Sequence, residues 1–123
     1  MRMGFLRKLL QRRQAPTGDL DAMTLRYLAG AGADLGLARE TIHYLYVPTR
    51  QAAERAALDL ARDGRHIETR AAATGGNWLV LVKEHLVVSD ESIEALRREF
   101  EAAANTLGGE YDGWEAAVEP DSN

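Results

Sequence analysis

The run Thr41-Ile42-His43-Tyr44-Leu45-Tyr46-Val47, closed by Pro48, decides how the rest of the chain is read. β-Branched and aromatic residues dominate it, which is the composition of a half-buried pleated strand. Proline has no N–H to give to a ladder, so the strand stops there. Thr49 then serves as an N-cap, and Arg50 to about Arg62 puts Ala53, Ala56, Ala57, Leu60 and Ala61 on one helical face before Asp63-Gly64 ends it. Side chains that small let a helix lie close on a sheet.

Downstream, Arg65 to Ala72 alternates His66, Glu68 and Arg70 with Ile67, Thr69 and Ala71, the period-two pattern of a strand with one wet face. Thr74-Gly75-Gly76 turns the chain into Asn77 to Val88, the longest strand-like run. Because this glycine pair leads into a strand, it is a hairpin turn and not a phosphate-cradling loop. Ser89 caps the most regular helix, with Asp90 and Glu91 at the positive end of its dipole. Ile93, Leu96, Phe100, Ala103 and Leu107 form its apolar stripe, and Gly108-Gly109 ends it. Glu110 to Glu119 is the last strand.

Strand, helix, strand, strand, helix, strand predicts an α+β, ferredoxin-like βαββαβ sandwich: a four-stranded antiparallel sheet in order 4-1-3-2 with two helices on one face. The first and third strands, expected in the middle, are apolar on both sides. Ile42, Tyr44, Tyr46, Trp78, Val80 and Val82 form one expected set, and Leu45, Val47, Leu79 and Leu81 the other. Two helices cover one face only. The other calls for cover from segment 19–37, a twin subunit or a partner.

Upstream, residues 1–14 carry Arg2, Arg7, Lys8, Arg12 and Arg13 and no acid. Met3, Leu6 and Leu10 share a stripe there, a weakly amphipathic helical pattern. Gln14 to Gly18 is a linker, and Asp19 opens a short helix with Leu20, Met23, Tyr27 and Leu28 on one side and Gly30 as its stop. The expected organisation is a basic arm and linker over 1–18, a domain with a leading helix over 19–119, and a polar tail over 120–123. The glycines between Gly30 and Gly36 are no dinucleotide fingerprint, since the third falls one place late and the stretch follows a helix.

The 123 residues suit one domain, and 46% hydrophobic with 28% charged residues is a globular composition. Absence of cysteine excludes disulfides and thiolate chemistry and fits a cytoplasmic protein. No apolar run approaches the roughly 20 residues of a membrane span. The net charge of −4 hides a leader of five cations against a remainder with ten basic and nineteen acidic residues. So acidic a body repels phosphate backbones, which argues against nucleic-acid binding by the domain.

Catalytic and metal signatures are missing. His43, His66 and His85 lie on different strands without ligand spacing, and Ser89 and Ser92 are explained by helix initiation. No enzyme activity, cofactor or metal is expected.

The string Glu110-Tyr111-Asp112-Gly113-Trp114 resembles the last strand of the regulator of ribonuclease activity B family, bacterial proteins that bind and inhibit the endoribonuclease ribonuclease E. The strand His43 to Val47, Pro48 and the alanine-rich helix resemble that family's aromatic strand and first helix. The resemblance covers about residues 20–119 and implies a ferredoxin-like fold, no catalytic residues, and a protein-level role in RNA turnover with a ribonuclease E-type partner. Read on their own, Asp112-Gly113 suit a β-bulge, and Tyr111 and Trp114 suit packing. Tyr44, Tyr46, Trp78, Tyr111, Asp112 and Trp114 are the candidate partner-binding residues, as large side chains of the kind enriched in hot spots with the acid among them. The alternative function is a small-molecule sensor, dimeric through its sheet.

Overall fold

The computed structural model describes residues 5–7, 17–30 and 36–118. Its elements in chain order are β1 (Phe5–Arg7), α1 (Thr17–Gly30), β2 (Arg39–Val47), α2 (Arg50–Leu60), β3 (Arg65–Ala71), β4 (Trp78–Leu86), α3 (Asp90–Thr106) and β5 (Glu110–Ala117). The five strands form one open antiparallel sheet in order β1-β5-β2-β4-β3. The four longer strands thus stand in the expected order. The fold is α+β, with three helices.

Local chemistry sets the boundaries. Thr49 Oγ1 accepts the Ala52 N–H at 3.0 Å to start α2. Ser89 and Ser92 satisfy each other's backbone N–H groups at the start of α3, a reciprocal cap. At the far end Gly108 takes φ +75°, a conformation glycine adopts without penalty. Gly109 is fixed for another reason: a Cβ there would lie 2.0 Å from the Tyr46 carbonyl oxygen.

One core lies between sheet and helices. Leu45, Val47, Val80 and Val82 of the central strands meet Ala53, Ala56 and Leu60 of α2 and Ile93, Leu96, Phe100 and Ala104 of α3. On β2 alternation is strict, with Arg39, Thr41, His43, Leu45 and Val47 buried and Glu40, Ile42, Tyr44 and Tyr46 only half-buried. Leu45 pairs with Val80 and Tyr44 with Leu81. The expected face sets are therefore corrected: Trp78, Val80 and Val82 share the helix side with Leu45 and Val47, while Leu79 and Leu81 join Ile42, Tyr44 and Tyr46 on the other. A one-residue change of register moves a whole strand's side chains across the sheet, and two strands apolar on both faces leave that register undetermined by alternation.

The upstream segment also differs from expectation. Phe5–Arg7 is a strand, pairing Phe5 with Ala117 and Arg7 with Glu115, where a helical pattern was expected. Residues 1–4, 8–16 and the tail 119–123 lie outside the described residues. Helix α1 starts at Thr17, and its buried side is Asp21, Thr24, Leu25 and Leu28, leaving Met23 53% exposed. Leu25 and Leu28 enter the same core as α3, so α1 joins the helical layer and leaves the opposite face of the sheet open, with no helix on it among the described residues.

Two buried cations brace the fold. Arg39, fully buried, donates through Nη1 to the carbonyl oxygens of Ala117 and Val118 and ties β2 to the end of β5. Arg65 donates from Nη2 to Glu99 at 2.7 Å, from Nε to Glu84 at 3.3 Å and from Nη1 to the Leu60 carbonyl at 2.9 Å. Its guanidinium carbon lies 5.2 Å from the centre of the Phe100 ring. Burial works against the Arg65 charge, but the two carboxylates outweigh it and raise its pKa.

Candidate interaction face

The bulge in β5 organises the site. Its register against β2 shifts between His43 and Leu45, so that Asp112 and Gly113 stand together opposite Tyr44. Gly113 adopts φ +101°, open to glycine and strained for other residues. In a regular strand Tyr111 and Trp114, three positions apart, would face opposite sides. The bulge turns both inward: Trp114 is fully buried and Tyr111 is 5% exposed.

Inside, Trp114 Nε1 donates to Asp21 Oδ1 at 2.9 Å, and Arg97 Nε donates to the other oxygen at 3.2 Å. The Tyr111 hydroxyl shares a 2.9 Å hydrogen bond with His43 Nδ1, and the Phe100 ring centre lies 4.6 Å from that of His43. Burial, reinforced by the charges of Asp21 and Glu101, pushes the Tyr111 pKa well above its ordinary value of 10.0, so the phenol keeps its proton. Trp78 is half-buried on the helix side, with the Arg50 guanidinium 5.9 Å from its ring centre.

The candidates read from sequence therefore separate. Tyr44, Tyr46 and Asp112 stand on the open side, whereas Trp78, Tyr111 and Trp114 face the helices. His43 and His85 are likewise divided: His43 is buried, and His85 is exposed opposite Glu40. Among the described residues no group of three potential ligands could hold a metal ion. No helix among them is long and apolar enough to cross a membrane.

The open face has an apolar centre and a charged surround. Tyr44 and Tyr46 lie between Leu81 and Leu79 of β4 and the outward positions of β5. The Tyr44 hydroxyl donates to Glu115 Oε1. Towards β3, Glu68 takes Lys83 at 3.1 Å and His66 at 3.0 Å, contacts that lower its pKa. At the foot of β2 a cavity of about 530 Å³ opens between the β3–β4 hairpin and the α3–β5 turn. Tyr46, Thr74, Asn77, Glu110 and Asp112 supply its polar lining. Glu40, Glu110 and Glu115 are not among the candidates read from sequence; alternation on β2 marks Glu40 as outward-facing, and the bulge brings both Glu110 and Glu115, five positions apart, to that same face.

No curated protein matches the chain. A family model described as regulator of ribonuclease activity B matches residues 19–116, which takes in most of α1 and every later element but the last residue of β5. The chain belongs to the regulator of ribonuclease activity B family.

Proposed function

We propose that this protein is a non-catalytic regulator that binds a ribonuclease E-type endoribonuclease in the cytoplasm, and that the open sheet face is the surface it uses. Family membership supports the regulatory role. The observation that carries the choice of surface is the pair Tyr44 and Tyr46, half-buried beside Leu79 and Leu81 on a face that no helix among the described residues covers. A tyrosine offers a large apolar body with a polar tip, so it tolerates water in the free protein and contributes strongly once buried in a complex. The βαββαβ order from β2 to β5, with helices on one side, supports classing the domain as ferredoxin-like.

Titration calorimetry with a purified ribonuclease E-type enzyme tests the proposal. Tyr44→Ala and Tyr46→Ala should each weaken binding by about 1–3 kcal/mol with circular dichroism and unfolding midpoint near wild type. Unchanged affinity in both variants would move the interface elsewhere. A concentration-dependent dimer lost in the same variants would assign the face to a twin subunit instead.

A further inference from the structure

We infer that the partner segment seated on this face is basic, and that one of its arginine side chains enters the groove at the foot of β2 and β5. The inference rests on the open-face proposal and adds the chemistry of the partner. Outward positions on β2 and β5 carry Glu40, Glu110, Asp112 and Glu115 and no cation. Among the described residues, the cations in register on this face lie on β3 and β4, where Lys83 is already engaged by Glu68, and on β1, where Arg7 stands opposite Glu115. The outward positions of β2 and β5 themselves thus place four carboxylates around two aromatic rings.

The groove repeats this pattern at smaller scale. Two carboxylates, a tyrosine, an asparagine and a threonine line it, and among the described residues its lining includes no lysine, arginine or histidine. A guanidinium suits such a lining because it stacks on an aromatic face while its planar fork bonds a carboxylate. It also keeps its charge when partly desolvated. A carboxylate accepts several hydrogen bonds, so contacts already made by Glu110 and Asp112 do not close the site.

The chain's own construction points the same way. Strand β1 comes from a leader with five cations and no acid, and it adds to β5 with Arg7 in register opposite Glu115. The edge beside these carboxylates therefore already pairs with a strand that carries a cation. A phosphate backbone would meet four like charges here, which favours a protein segment over RNA.

The experiment is an NMR titration of the full chain with a short arginine–serine peptide, its citrulline counterpart and a single-stranded RNA. The arginine peptide should shift the amides of Tyr46, Asn77, Gly109 and Glu110. Citrulline, or the double change Glu110→Gln with Asp112→Asn, should weaken binding about tenfold, a difference carried by charge. Glu54→Gln on the exposed side of α2 should change nothing. Equal binding of the citrulline peptide, shifts that spare the groove, or RNA shifting the same amides would each overturn the inference. If the ribonuclease binds through Tyr44 and Tyr46 while the arginine peptide does not, the basic-partner inference falls and the open-face proposal stands. Peptide entry with ribonuclease binding indifferent to Tyr44 and Tyr46 removes the open-face proposal instead.

Discussion

Trp114 on β5 and Asp21 on α1 are joined by a 2.9 Å hydrogen bond across 93 positions of sequence, inside the protein. The indole needs an acceptor because it is fully buried, and Asp21 needs donors because it is 5% exposed and charged. Arg97 provides the second donor. Trp114→Phe keeps an aromatic ring but withdraws the indole donor from a buried carboxylate. It should lower stability by about 1–3 kcal/mol in urea denaturation, with faster amide exchange in α1. Full protection of α1 in that variant would show that the Trp114–Asp21 bond does not hold the helix.

Phe100 is the centre of a ring cluster under α3, beside His43, Tyr111 and the Arg65 guanidinium. It is fully buried. Phe100→Ala should cost about 3–5 kcal/mol, as for other large core truncations. A chemical-denaturation loss below about 1 kcal/mol would contradict this packing.

Acid should weaken the contact between β3 and α3. The Glu99 pKa lies below its ordinary value of 4.5, first because Arg65 donates hydrogen bonds to it; burial opposes this, and the charges of Arg65 and Arg62 add to it. A carboxylate with a depressed folded pKa contributes stability above its unfolded pKa and loses it as pH falls through the folded one. Glu99→Gln should therefore be less stable than wild type near neutrality and equal to it at low pH, the gap closing below 4.5. The side chain is 35% exposed, so screening limits the effect to about 1 kcal/mol. Parallel urea midpoints across the whole pH range would remove Arg65–Glu99 as a contributor.

Removing residues 1–14 deletes β1, which pairs with β5 through Phe5, Leu6 and Arg7. Three residues of edge pairing are worth about 1–2 kcal/mol at most. Thermal melting should show a small drop, and amide exchange should quicken at Glu115, Ala116 and Ala117 while the central strands stay protected. No change in either measurement would make the leader an arm independent of the sheet.

Element order was legible because each boundary has its own local chemistry: Pro48 after β2, Thr49 before α2, Ser89 before α3, and glycines after the turns. The bulge was legible too, since Asp112-Gly113 is a local signal. What escaped depends on distant partners. The register of β4 on β2 could not be read where both strands are apolar on both faces. The buried side of α1 is set by Trp114 and Arg97, which reach Asp21 from far along the chain. Arg39 and Arg65 look like ordinary surface cations until their carbonyl and carboxylate acceptors are known. Of the candidate site, Tyr44 and Tyr46 were placed on the open face by simple alternation once the register was known. Tyr111 and Trp114 point inward through the bulge.

The extra residue at Asp112-Gly113 acts as a phase shifter between the two halves of β5. Forcing both residues into regular strand geometry, with neither deleted, would restore plain alternation through the segment. With Trp114 held inside, the N-terminal half would then rotate by one face, delivering the Tyr111 phenol to water and the Glu110 carboxylate into the core. The buried tyrosine and the outward Glu110 are consequently one inheritable trait, and a lineage that straightened the bulge without losing a residue would surrender both in a single step.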